Sequence, residues 1–319
     1  MPHASSFRTL LLCLAVLAVF GVASFWPATP RVLSAPAEKQ VVSGFTPQTS
    51  DALWRDVDPE KLSPQQQRQT AGRPNKYRSL SLDTIHLQSL LRRAPREFTD
   101  AVNSPDAPII SLPMPDGTML RFKIQDSPIM EEGLAARYPQ IRTFTGKTLD
   151  GSPITTRFDW TPQGFHGILL TPRGTVLIEP DGPDQTTSYI AYFQGDLPAG
   201  SMECDVDDST QTDPLVGVKQ IGEKASLVSS GSALRTYRLA VAATAEYTQA
   251  YGGGTVSGGL AAVTTTVNLV NAVFERDVAI RLVLIANEDQ IIFTDAVSDG
   301  YTSDNVNSMI SENQTKLDA

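Results

Sequence analysis

Few residues in this chain have the side chains that metal or nucleophilic catalysis requires. The 319 residues include three histidines, His3, His86 and His166, and two cysteines, Cys13 and Cys204. The histidines lie far apart, and none is followed by glutamate, so the sequence contains no HExxH motif. In that motif two histidines one helical turn apart hold a metal ion on the same side of a helix. These residues therefore supply no three-histidine metal site.

The acidic residues form no recognisable metal loop either. Asp205, Asp207 and Asp208 are close together, but they lack the glycine and the terminal glutamate of a calcium loop. This spacing favours an acidic, solvated linker. Glu275 stands next to Arg276 near the end of a predicted helix, which predicts an ion pair there instead of a catalytic acid.

Two histidines and a glycine run are better explained by structure than by chemistry. His86 has polar neighbours on a predicted helix, which predicts a solvated surface residue, and His166 lies within a predicted strand. The run Gly252–Gly254 is not followed by the Lys-Ser or Lys-Thr pair of a phosphate-binding loop. We therefore expect it to form a turn.

The elements of the C-terminal third predict an α/β arrangement. Thr236–Ala242 alternates with Tyr237, Leu239 and Val241 on one face, which is typical of a half-buried strand. A helix follows, with Ser257 as the expected cap and an apolar stripe formed by Leu260, Val263, Val267, Val270 and Phe274. Ile280–Ile285 is apolar throughout, so strand, helix and strand predict a parallel pair. A short strand at Ile291–Phe293 and a helix marked by Val306, Met309, Ile310 and Leu317 complete the segment.

The middle of the chain predicts an antiparallel meander. A helix is expected from Asp83 to Phe98, shortened by Pro95. Turn residues then separate short alternating runs. The predicted strands contain Leu120, Phe122 and Ile124, or span Ile154–Trp160, Phe165–Leu170, Thr175–Ile178 and Tyr189–Phe193.

The N-terminal residues predict secretion. Arg8 precedes the apolar run Leu10–Phe20, and Ala23 or Ala37 supplies a small residue for signal cleavage. A membrane anchor is the rival interpretation, but the run is short for a span of roughly 20 residues. We therefore expect no stable membrane anchor after cleavage. The net charge of −9 argues against nucleic acid as a partner, since phosphate binding requires basic surfaces.

The C-terminal third resembles the reprolysin-like zinc metallopeptidases, a branch of the metzincins. The residues that carry the resemblance are Arg235–Thr248, Val270–Asp277 and Leu282–Asn287. The closing Asn313–Ala319 is similar to the helix that precedes the family's next core strand. The region upstream of this third also resembles the propeptides of secreted bacterial members.

The resemblance implies an enzyme that hydrolyses protein or peptide substrates with Zn²⁺. In this family three histidines hold the zinc and a glutamate activates the zinc-bound water. We expect this motif beyond Ala319, so that the sequence is truncated and inactive by itself. A secreted binding or adhesion module that lost the zinc site is the alternative. A free-standing inhibitor made of the propeptide is a weaker one, since it gives the last third no purpose.

The expected fold class is α+β, with a β-rich antiparallel propeptide followed by the first half of a metzincin-like domain. The sheet of that second domain is expected to be mixed and mainly parallel. The expected segments are a signal peptide and leader at 1–37, the propeptide at 38–205, a linker with the activation cleavage region at 206–233 and the incomplete catalytic part at 234–319.

Within this scheme Cys204 is the one predicted metal-binding residue. It is the only cysteine left after leader removal, and a lone thiol is unusual in an oxidising compartment. In metzincin zymogens a propeptide cysteine can fill the open zinc position, so that the propeptide inhibits its own enzyme. Asp205 stands where such motifs more typically have glycine. A buried structural thiol and a disulfide with a cysteine beyond Ala319 remain alternatives.

Overall fold

The computed structural model describes residues 53–58, 73–183, 185–198, 233–302 and 305–317. The expected leader at 1–37 and Cys204, with the acidic cluster that follows it, lie outside these residues. We call residues 53–198 the N-terminal sheet unit and residues 233–317 the C-terminal α/β unit. The elements of the first are β1 Trp54–Asp56, β2 Arg78–Leu82, α1 Thr84–Leu91, β3 Ile109–Pro113, β4 Met119–Asp126, α2 Glu132–Arg137, β5 Arg142–Thr148, β6 Thr155–Thr161, β7 Gly164–Thr171, β8 Gly174–Pro180 and β9 Ser188–Phe193. Those of the second are β10 Arg235–Leu239, α3 Ala245–Gly252, α4 Val256–Val278, β11 Ile280–Leu284 and α5 Val306–Leu317.

The N-terminal sheet unit is a strongly curved antiparallel sheet. Nine strands pair in the order β1-β2-β9-β8-β7-β6-β5-β4-β3. From β3 to β9 each strand pairs with the next in sequence, so the predicted meander is confirmed. The alternation did not reveal β5, because Thr143, Gly146 and Lys147 interrupt its apolar pattern.

Side chains link the two ends of this sheet, so that it is nearly barrel-shaped. Arg78 on β2 donates to the carbonyl oxygens of Met114 and Thr118 at the β3–β4 turn, at 3.1 and 3.2 Å. Arg173 at the β7–β8 turn donates to Asp116 in the same turn at 2.6 Å. The side-chain hydrogen bond from Thr118, followed by that from Arg173, lowers the pKa of Asp116 to about 2.

The concave face of the sheet holds the larger core. Helix α1 lies within it and contributes Leu87, Leu90 and Leu91, as the sequence predicts. This helix ends at Leu91, well before the expected Phe98. Aromatic rings fill the centre, with Phe158 stacked between Phe144 and Phe165. Burial of these rings removes a large apolar area from water and so contributes to the stability of this unit.

The C-terminal α/β unit has the predicted strand, helix and parallel strand. Arg235 pairs with Ile280, and the register continues to Leu239 and Leu284. Helix α4 is capped by Thr255, whose side chain accepts from the amide of Gly258, and not by the expected Ser257.

Two other expectations for this unit are wrong. Tyr237 is 49% exposed, although the alternation of β10 places it on a buried face. Only the far end of that face is covered: Leu239 and Val241 pack against the core beneath α4, whereas the side chains from Arg235 to Arg238 are exposed. Ile291–Phe293 is not a strand either: a 3₁₀ turn, Glu288–Ile291, leads into one isolated bridge between Ala243 and Ile292.

Helix α4 packs between β11 of its own unit and the N-terminal sheet unit. Among the described helices it is the one long and apolar enough to cross a membrane by length and composition, but 61% of that apolar window is buried within the protein. One side contacts β11 and the other lies on the convex face of β6 and β7. The burial of this helix therefore explains its hydropathy.

The core beneath α4 takes side chains from both units. Ile129, Leu134 and Ile141 of the N-terminal sheet unit are buried. They pack in one cluster with C-terminal residues that include Leu260, Ala261, Val263, Val267, Leu284 and Ile292. A smaller cluster joins Ile168 and Leu170 of β7 to Ala272 and Val273 of α4.

Candidate functional site

The histidines singled out from the sequence are not brought together. His86 lies exposed on α1, as predicted for a surface residue. His166 lies on β7, and its Nδ1 is 3.1 Å from Oδ1 of Asp159. Among residues 53–317 that the structure describes, no group of three or more His, Cys, Asp or Glu side chains is arranged to hold a metal ion.

The densest polar cluster lies between β6 and α4. Strand alternation directs Phe158 into the aromatic core, so its neighbours Arg157 and Asp159 face the helix. Both are buried, which is rare for charged residues unless they are paired. The side chains that meet them come from the polar face of α4.

Asp159 is fully buried and accepts hydrogen bonds from both units. Thr265 donates its hydroxyl to Oδ1 at 3.0 Å, and His166 contacts the same oxygen. His166 is thus a structural strand residue, as the sequence predicts. Its pairing with Asp159 orients both side chains at the contact between sheet and helix.

Glu275, whose side chain is 19% exposed, is the centre of a second, largely buried group near the C-terminal end of α4. Arg157 donates Nη1 to both carboxylate oxygens, at 2.9 and 3.0 Å. Arg281 of β11 donates Nε to the same carboxylate. The expected pair between Glu275 and Arg276 is wrong, because Arg276 bonds Asp277 instead, at 2.6 Å. Helical periodicity turns Glu275 toward the sheet and Arg276 toward solvent.

Arg157 is held on all sides. Its Nε donates to Asn268 at 2.9 Å, and its Nη2 donates to the hydroxyl of Ser127 at 3.1 Å. Burial lowers the pKa of the Arg157 guanidinium, and the positive charge of Arg281 adds to this effect, whereas Glu275 opposes it. Full hydrogen bonding keeps the buried charge tolerable in this position.

Arg281 extends the cluster to the segment after α1. Its Nη1 bonds Glu97, and both side chains are less than 10% exposed. The guanidinium carbon also lies 5.6 Å from the ring centre of Phe98. Phe98 has a φ of 62°, in the left-handed region that non-glycine residues rarely adopt. We call Glu97, Arg157, Glu275 and Arg281 the buried charge cluster.

A short strand-like contact forms the second junction between the units. Leu284 of β11 donates its amide to Ile129 at 2.7 Å, and Glu131 donates its amide to Leu284 at 2.9 Å. Met130 and Leu284 thereby form a parallel bridge. Residues 129–131 thus extend the small parallel sheet beyond β11.

The side chain of Glu131 strengthens this contact. Its carboxylate bonds Arg238 of β10 and accepts from the amide of Ala286 at 2.7 Å. The hydrogen bond from Arg238 is the main reason why the pKa of Glu131 is lowered.

Glu288 is a buried carboxyl group outside both junctions. Its Oε1 accepts from the amide of Val241 at 2.8 Å, and its Oε2 has no hydrogen-bond partner among the described residues. Burial raises the pKa of Glu288 to about 8. The side chain is therefore mainly protonated at neutral pH.

This arrangement is suited to holding two units together. The helical period places Thr265, Asn268 and Glu275 on a polar face of α4, but single-sequence periodicity does not tell a solvated face from a paired one. The signal that was available is the alternation of β6, because Arg157 and Asp159 share a face that also needs a partner.

The comparisons with known proteins agree with the resemblance of the C-terminal third. The model of metallo-peptidase family M12B, reprolysin-like, matches residues 233–319. The resemblance expected from the sequence is therefore confirmed for this segment, and it supports a family of peptidases, which are hydrolases. No curated protein matches the chain.

Proposed function

We propose that this chain is the N-terminal part of a secreted, zinc-dependent metalloendopeptidase precursor. The observation that carries the proposal is the family match over residues 233–319, which coincides with the C-terminal α/β unit. The strand, helix and parallel strand predicted from the residue pattern of this segment are β10, α4 and β11. Protein or peptide substrates follow from the family.

The described residues do not fit a zinc site. His86 is exposed on α1, and His166 is paired with Asp159 at the contact with α4. No metal-ligand group occurs among the described residues, and the 319 residues contain no HExxH motif. The proposal therefore requires that the zinc ligands come from residues outside this sequence, beyond Ala319.

In this proposal residues 38–205 are the propeptide and residues 206–233 contain the activation cleavage. The N-terminal sheet unit supports this role because it contacts the family-matched unit through α4 and β11. Cys204 is proposed as the thiolate that occupies the zinc position in the latent enzyme.

Activity measurements with and without a chelator test the enzymatic proposal. The purified 319-residue chain is expected to show no chelator-sensitive hydrolysis of casein. The polypeptide extended by its downstream coding sequence is expected to gain such hydrolysis, and changing the glutamate of the added motif to glutamine should abolish it. Chelator-sensitive activity of the 319-residue chain would overturn the placement of the site.

The Cys204→Ser variant of the extended polypeptide tests the switch. Serine does not bind zinc as a thiolate does, so the variant should become active or process itself sooner than the parent. Cys13→Ser is the matched control, because Cys13 lies in the proposed leader. Equal activation times for Cys204→Ser and its parent would exclude the switch.

A binding or adhesion module is the second candidate function. The specific observation in its favour is that the three histidines of the sequence form no ligand motif. Reading the coding frame past Ala319 separates the two candidates. HExxH with a further histidine supports the enzyme, whereas a stop codon or a motif without its glutamate supports the binding module.

A further inference from the structure

The two units contact each other through backbone pairing and buried ion pairs, which resemble the contacts between separate polypeptides. The backbone of residues 129–131 pairs with β11, and the buried charge cluster joins Glu97 and Arg157 to Glu275 and Arg281. Strand addition of this type is a common way in which one polypeptide binds another. The junctions combine it with a desolvated ionic core.

We infer that the N-terminal sheet unit is a separable subunit that binds the α4–β11 surface and stays bound after the chain between the units is cut. The partner that this surface fits is the family-matched segment of the same polypeptide. Among the described residues, the contacts between the units include no residue of the proposed zinc site, so the units should stay bound whether or not the protein is a peptidase.

Apolar side chains from both units are buried against one another. Ile129, Leu134 and Ile141 enter the same core as Leu260 and Leu284, so separation would expose apolar surface on both sides. A fully buried apolar centre with polar groups around it is typical of interfaces between stable subunits.

Charged side chains also pair across the contact between the units. Arg157 is 3% exposed at its side chain, and its carboxylate partner comes from the other unit. Separation would leave that guanidinium without the Glu275 carboxylate, and it would also part Arg281 from Glu97. Charge pairs that are buried and hydrogen-bonded slow dissociation more than exposed pairs do.

The test is to cut the full chain between the two units. A recognition site for a sequence-specific protease is inserted between residues 215 and 216, and cleavage is taken to completion. We expect the two fragments to co-elute at micromolar concentration, also in 1 M NaCl, since buried pairs are poorly screened. Separate elution, or precipitation of the C-terminal fragment alone, would overturn the inference.

Two variants with matched controls locate the binding surface. Glu275→Ala should weaken fragment association at least a hundredfold, whereas Asp277→Ala should leave it within twofold, because Asp277 pairs with its neighbour Arg276. Glu131→Ala should weaken association at least tenfold, whereas Glu132→Ala, at an exposed neighbouring position, should not.

The dissociation constants come from a dilution series of the cut proteins, and circular dichroism confirms that each variant is folded. Glu131 is partly exposed, so its replacement keeps the test valid even where Glu275→Ala unfolds the chain. Unchanged association in Glu131→Ala would contradict the proposed surface.

Discussion

Glu288 shows how a single buried carboxyl group makes the stability of this protein depend on pH. Its pKa rises from 4.5 to about 8 on folding, because burial disfavours the charged form. The folded state therefore holds the proton more tightly than the unfolded state. The contribution of this proton to the free energy of unfolding is complete below pH 4.5 and is lost as the pH rises through about 8.

We expect Glu288→Gln to remove this pH dependence. Glutamine keeps the shape of the protonated side chain and never ionises, so the variant should be more stable than the parent well above pH 8 by roughly 5 kcal/mol. At pH 4, below the ordinary pKa of 4.5, the two should be alike. Urea unfolding at both pH values measures the difference, and Glu132→Gln serves as the exposed control. A constant difference at both pH values would contradict the prediction.

At the residue scale the sequence predicts roles well where a side chain acts locally. The surface position of His86 and the structural role of His166 are both observed. Adjacency in the sequence predicts an ion pair between Glu275 and Arg276, but the partners of Glu275 are Arg157 and Arg281. Pairing across the fold depends on which strand faces which helix, and spacing alone does not contain that information.

At the scale of the secondary-structure elements, the junction between α3 and α4 depends on glycines. Gly253 ends α3 with a φ of 59°, so the predicted turn is observed. Gly258 lies in the first turns of α4, where an added Cβ would be 1.9 Å from the carbonyl oxygen of Gly252. The two helices therefore touch backbone to backbone.

We expect Gly258→Ala to be markedly more destabilising than Gly253→Ala. The Cβ of an alanine at 253 would contact no other atom, so the only cost is that of a non-glycine residue in the left-handed conformation, about 1 kcal/mol. Alanine at 258 must separate the helices, at a net cost of about 3 kcal/mol despite its higher helix propensity. Thermal unfolding of both variants measures this, and equal melting temperatures would show that the helices can move apart freely.

Elements with strong periodicity were predicted, and elements that depend on tertiary contacts were not. The apolar stripe of Leu260, Val263 and Val267 predicts α4, and apolar–polar alternation predicts most strands of the meander. Ile291–Phe293 looks like a strand because its residues favour sheets, but the 3₁₀ turn that ends at Ile291 leaves one bridge to Ala243. Strand formation there needs a neighbour that the local sequence does not specify.

At the scale of the whole molecule, the C-terminal α/β unit does not build its core alone. We expect a fragment of residues 233–319 to show no cooperative unfolding, because Ile129, Leu134 and Ile141 are missing from the cluster beneath α4. Residues 38–319 should unfold in a single transition. Urea titrations followed by circular dichroism compare the two. A sharp transition of the short fragment would show that its own residues suffice.

The shared core also has a consequence for biosynthesis. Ribosomes release the N-terminal sheet unit first, so its convex face with Arg157 and Asp159 can be in place before α4 emerges. Helix α4 would then pack onto a sheet that is already folded, with Arg157 in position to bind Glu275. Contacts of such long sequence separation slow spontaneous folding, and a surface that is completed early shortens the search for them. The part of the chain that is made first is thus also the surface on which α4 packs.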